Sequence, residues 1–236
     1  MKKLNTKILA IGLSAVMLTS AVAACKTTET SAQPAESSAQ TEASDPQGGS
    51  STALGGWTIP DSIAITGDQQ AAFDQAIKTE QDYPFKAIFV LATQVVSGTN
   101  YVFLCQSTAE KNGYTLAYVN VDPSGKASLI KDDRIILPGT ESGEQLAGGW
   151  SYAETPDISL ELNDVLNKGL EKLIGVDYVG IALIGTQVVA GTNYAVLYRT
   201  TVLDGNSTTK YQLVYFNEDL QGNVTVTENV DINIGV

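Results

Sequence analysis

Two stretches of this chain are written twice, at a spacing that any fold must respect. Gly55-Gly56-Trp57 recurs as Gly148-Gly149-Trp150, and Gln94-Val95-Val96-Ser97-Gly98-Thr99-Asn100-Tyr101 recurs as Gln187-Val188-Val189-Ala190-Gly191-Thr192-Asn193-Tyr194, both 93 positions later. Farther on, Tyr114, Leu116, Tyr118, Asn120, Asp122 and Gly125 match Tyr211, Leu213, Tyr215, Asn217, Asp219 and Gly222 at 97 positions, the extra four residues falling in the polar stretch from Leu203 to Lys210. A repeat of constant offset predicts two units of like architecture. They span residues 54–137 and 146–236, with a linker over 138–145, and each is expected to fold alone.

Within each unit a helical period gives way to β-type runs. Leu162, Val165, Leu166, Leu170 and Leu173 share one helix face, with Asp157 or Ser159 as cap and Gly175 as stop. The earlier helix has only Phe73, Ala76 and Ile77 on its face, after a Thr66/Gln69 capping box, and is expected to be shorter or less firmly packed. Apolar and β-branched runs follow at 85–96, 101–106, 114–121 and 127–137, and again at 176–189, 194–203, 211–217 and 224–234. Short turns separate them, which predicts antiparallel meanders and an α+β fold.

The first 24 residues read as a secretory signal peptide, with Lys2, Lys3 and Lys7 ahead of an apolar stretch from Ile8 to Val22. Val22-Ala23-Ala24-Cys25 resembles the lipobox of bacterial lipoproteins, which implies diacylglycerol on the Cys25 thiol and an extracytoplasmic, membrane-anchored protein. Residues 26–53, rich in Ser, Thr, Ala, Gln and Glu, then form a tether. As a flexible coil it spans about 30 Å.

With Cys25 lipidated, Cys105 has no intramolecular partner, so the units need apolar cores; a buried thiol is expected there. Loss of residues 1–24 takes the net charge from −12 to −15, since three lysines leave and no carboxylate does. A nucleic-acid partner is not expected from so acidic a chain. Histidine is absent, which excludes Ser-His-Asp and Cys-His catalysis and every His-ligated metal site. Asp132-Asp133 and Glu218-Asp219 read as solvated strand-end or turn residues, so neither an enzyme nor a cofactor site is expected.

Gln94-Val95-Val96-Ser97-Gly98 and Gln187-Val188-Val189-Ala190-Gly191 resemble the Gln-x-Val-x-Gly signature of the cystatin family, with Thr-Asn-Tyr following in both copies. Leu54-Gly55-Gly56 and Leu146-Ala147-Gly148-Gly149 are similar to that family's N-terminal trunk. The resemblance implies, in each copy, one helix packed on an antiparallel sheet of about five strands. It also implies a wedge made of the trunk, the signature loop and a later hairpin turn, which occludes the cleft of papain-like cysteine peptidases without reacting with them. In that later turn the family's Pro-Trp is replaced by Asp122-Pro123-Ser124-Gly125 and Asp219-Leu220-Gln221-Gly222. The contact residues so implied are Leu54, Gly55, Gly56, Gln94 to Gly98 and Pro123 in the first copy. In the second they are Leu146, Gly148, Gly149, Gln187 to Gly191 and Leu220.

Independently of the family, a hairpin tip carrying Val-Val where a turn is ordinarily polar points to a contact surface. The competing reading is a non-inhibitory surface binding module on the same scaffold. Trp57 and Trp150 fit a core role as readily as a contact one.

Overall fold

The computed structural model describes residues 55–80, 83–109, 113–140, 148–205 and 207–235. The first copy runs β1 (Trp57–Thr58), α1 (Gly67–Ile77), β2 (Phe85–Val96), β3 (Gly98–Ser107), β4 (Tyr114–Val121) and β5 (Ala127–Ile135). The second repeats this as β6 (Ser151–Tyr152), α2 (Leu160–Leu170), β7 (Val176–Val189), β8 (Gly191–Val202), β9 (Thr209–Asp219) and β10 (Val224–Ile232). Each copy builds its own five-stranded antiparallel sheet, the strands lying in chain order. One helix covers a face of each sheet, α1 on β4 and β5, α2 on β9 and β10. This is the α+β architecture that the sequence predicts, twice over.

Side-chain caps set the helix ends. Thr66 accepts from the Gln69 backbone amide while Gln69 Oε1 accepts from the Thr66 amide at 2.9 Å, completing the expected capping box. Ser159, rather than Asp157, caps α2 by accepting from Leu162 N. Both helices are 11 residues long, so α1 is not the shorter one that its sparse apolar face suggests. Phe73 and Ala76 bury it as Leu166 and Gly169 bury α2. Because α2 stops at Leu170, Leu173 lies outside the helix and is exposed, and Gly175 leads into β7 instead of ending a helix.

The central strands are apolar on both faces because both faces are covered. On β3, Phe103 and Cys105 point under α1, whereas Val102 and Leu104 point the other way. On β8, Val196 and Tyr198 join α2, whereas Ala195 and Leu197 point away from it. The two outward faces meet in a single core containing Leu91, Leu104, Tyr114 and Leu116 of the first copy and Ile184, Leu197, Tyr211 and Leu213 of the second. Fully burying one such aliphatic side chain contributes about 1.5–3 kcal/mol. Either copy taken alone would present that face to water. Leu137, expected at the end of a strand, lies beyond β5 and is fully buried in this seam.

Polar groups in the seam are paired across it. Tyr114 Oη donates to the Ala153 carbonyl at 3.1 Å and Tyr211 Oη to the Leu91 carbonyl at 2.9 Å. Gln106 Nε2 donates to the Glu154 carbonyl at 2.7 Å. Arg199 reaches the Pro60 and Asp61 carbonyls at 3.0 and 3.2 Å. Asp132 and Asp133 fall within β5 rather than at its end, on the outer edge of the first sheet, where Asp133 pairs with Lys131. Charge on an open edge discourages further strand addition.

Candidate functional site: a three-part sheet edge in each copy

The signature segment is tighter than its sequence predicts. Ser97 alone stands outside the ladder, since Val96 pairs with Gly98, Val95 with Thr99 and Gln94 with Asn100; the same holds around Ala190. What reads as a four-residue turn is a one-residue hairpin tip. Gly98 and Gly191 make it possible, at φ 106° and 121°. A Cβ on either would also fall on backbone, the Val121 carbonyl oxygen in one copy and the Glu218 carbonyl oxygen in the other. That close approach brings the tip against the neighbouring turn, 122–125 or 219–222.

The trunk reaches the same end of the sheet. β1 pairs Trp57 with Gln94 and Thr58 with Thr93, which places Gly55 and Gly56 beside the signature strand, and β6 pairs Ser151 with Thr186 in the same way. Gly55 and Gly148 both take positive φ, 84° and 72°, where a side chain is strained. Leu54, Leu146 and Cys25 lie outside the described residues.

A polar relay crosses three strands and ends on the trunk. Asn120 Nδ2 donates to Asn100 Oδ1 at 2.7 Å, Asn100 Nδ2 donates to Gln94 Oε1 at 2.7 Å, and Gln94 Nε2 donates to the Gly55 carbonyl at 2.6 Å. The second copy repeats it through Asn217, Asn193, Gln187 and the Gly148 carbonyl, at 2.7, 2.8 and 2.9 Å. The signature glutamine is therefore a strut within the edge, not a free contact group. All four asparagines stand at matched positions of the repeat, but nothing in their sequence neighbourhood marks them as a relay.

The parts that face outward are apolar. Val95 and Val188 are each 73% exposed, Val96 and Val189 43%, and Leu220 76%. Ser97, Ala190 and Pro123 are exposed beside them. The adjoining turns are held from within. Asp122 Oδ1 accepts from the Ser124 hydroxyl and the Ser124 and Lys126 amides, and Asp219 accepts from the Gln221 and Asn223 amides and the Asn223 side chain. Those bonds, led by the Ser124 hydroxyl and the Asn223 side chain, hold both carboxyls below the ordinary aspartate range. Behind the second tip, Tyr194 Oη donates to Glu218 Oε2 at 2.9 Å, and burial followed by that carboxylate raises the phenol pKa.

Other candidates fall away from the edge. Trp57 packs edge-on against Tyr118 and Trp150 against Tyr215, both in the seam between the sheets. Cys105 is fully buried, and burial pushes its thiol well above the ordinary range, so it is a core residue and not a nucleophile. The described part of the edge offers shape and apolar surface.

No protein-family model matches this chain, and no curated protein matches it in sequence. Among solved structures, a chain of the inhibitory complex of human meprin beta with mouse fetuin-B is similar to it at 12% identity and a TM-score of 0.24. The match covers 67% of this chain and 68% of that one.

Proposed function

We propose that the chain is a reversible inhibitor of papain-like cysteine peptidases, tethered outside the cell through lipid on Cys25. The observation that carries this reading is the doubled edge: in each copy, two exposed valines at a one-residue tip are flanked by a glycine trunk and a rigid turn. A peptidase cleft filled by such an edge loses access to substrate, and nothing in the inhibitor need react. Protease–inhibitor contacts of standard size bury about 1,600 Å² in total, within reach of a sheet end with three projecting parts.

One observation favours the alternative, a surface binding module that does not inhibit. Affinity concentrates in a few aromatic anchors, and here both tryptophans are committed to the seam, leaving the edge aliphatic. Titration of the chain against several papain-like peptidases separates the two. Competitive inhibition with full recovery of activity on dilution supports the inhibitor. Absence of inhibition at high micromolar concentration leaves the binding module. For the anchor, Cys25→Ser should move the protein from the membrane to the soluble fraction and remove lipid mass; an unsubstituted protein already soluble and lipid-free contradicts it.

A further inference from the structure

The seam between the sheets obeys a two-fold relation that the repeat makes visible. Gln106 of the first copy donates to the Glu154 carbonyl of the second, and their counterparts 93 positions away, Arg199 and Asp61, repeat the contact in reverse. Tyr114 and Tyr211, counterparts at 97 positions, each donate a hydroxyl proton across the seam, although to carbonyls, Ala153 and Leu91, that are not themselves counterparts. Trp57 on Tyr118 and Trp150 on Tyr215 are matching aromatic pairs, each within its own copy, that line the two sides of the seam. A surface that meets its own counterpart reciprocally is isologous, the arrangement of a symmetric dimer. Here it lies within one chain.

The contacts also fix the direction in which each sheet points. Gln106 pairs with Tyr114 at the end of the first sheet remote from the Ser97 tip. It meets Glu154, which follows β6 in the tip half of the second sheet, where Ala153 N donates to the Ile184 carbonyl. Conversely, Arg199 pairs with Tyr211 at the remote end of the second sheet and meets Pro60 and Asp61, just after β1 in the tip half of the first. The sheets therefore pack head to tail, and their loop-bearing edges leave the molecule at opposite ends. Gln106 lies nine positions along the chain from Ser97, and Ile184 six from Ala190. At about 3.3 Å per residue the tips stand on the order of 50 Å apart.

We infer that the chain is bivalent, holding one peptidase molecule on each edge at the same time. This rests on the inhibitory reading of the edges and adds to it a stoichiometry and a bridging geometry. A globular peptidase of roughly 220 residues has a radius of gyration of about 17 Å. Two such bodies seated beyond tips that far apart, and pointing away from each other, do not collide. Neither edge shares a residue with the seam hydrogen bonds, so occupancy of one leaves the other open.

The test is the mass of the complex formed with excess papain-like peptidase whose catalytic cysteine is carboxymethylated, read by sedimentation velocity. Two peptidases per chain are expected. Val95→Asp or Val188→Asp alone should lower this to one, and both together to none. Both valines are largely solvent-exposed, and circular dichroism verifies that the variants stay folded. Two batches of peptidase carrying fluorophores of different colour should co-sediment only in the presence of the unsubstituted chain. Saturation at one peptidase, with one of the two single variants silent, overturns bivalency and leaves the inhibitor intact. Binding of none overturns the inhibitory reading, and bivalency with it.

Discussion

The Gln187 side-chain amide donates to the Gly148 carbonyl at 2.9 Å, joining residues 39 positions apart, and Gln94 makes the same bond to Gly55. Gln187→Leu removes both this bond and the one accepted from Asn193. Each such bond contributes about 0.5–1.5 kcal/mol, so a loss of roughly 1–3 kcal/mol in urea unfolding is expected. With the first edge silenced by Val95→Asp, inhibition by the second should weaken about tenfold, the equivalent of 1.4 kcal/mol. An unchanged inhibition constant would mean that the trunk needs no strut.

Gly98→Ala and Gly191→Ala set a methyl group on a neighbouring carbonyl at a φ that side chains avoid. Strain of this kind costs on the order of 1–3 kcal/mol. Chemical denaturation should show both losses, whereas Gly125→Ala, where nothing lies within 4 Å of the new carbon, should show only the smaller cost of its φ.

The tip valines are expected to behave in the opposite way. Val95→Asp and Val188→Asp, at 73% exposure, should change stability by no more than about 0.5 kcal/mol, yet abolish inhibition at the edge concerned by carrying a charge into an apolar cleft. A fall in melting temperature that accounts for the lost inhibition would contradict a contact role.

Alkaline pH should open the seam. Burial raises the Tyr211 phenol to about 12, although Arg199 opposes it, and burial does the same for Tyr118 and Tyr215. A phenol with a raised folded-state pKa binds its proton more tightly folded than unfolded. Its contribution is complete below the ordinary value near 10 and is lost as pH climbs from there to about 12. Unfolding free energy measured across that window should fall, and Tyr211→Phe should flatten part of the slope while costing about 1 kcal/mol at neutral pH for the lost bond to Leu91.

Much of the fold is legible before any coordinates. The runs 85–96, 114–121 and 176–189 coincide with β2, β4 and β7, and Thr66/Gln69 is the helix cap that its spacing predicts. The seam is not legible, for a physical reason. Where both faces of a strand are buried, as at Val102 to Cys105, the run loses its alternation, and nothing in it tells which face meets a helix and which meets a second sheet. The hydroxyl of Tyr211 finds its acceptor 120 positions away, beyond any local pattern. At the edge, the signature and the glycines are readable, but the asparagine relay is not, because its three strands converge only in the folded sheet.

The reciprocal seam has a consequence for how the protein behaves at low concentration. Two separate copies joined by such a surface would obey mass action, coming apart as they were diluted and exposing their apolar faces as they did. The chain here passes from Leu137 to Gly148 in a single covalent connection, and a short connection holds its partners at an effective concentration in the millimolar range. Association of the two copies is thereby independent of how many molecules of the chain are present. Two opposed edges persist in a solitary molecule.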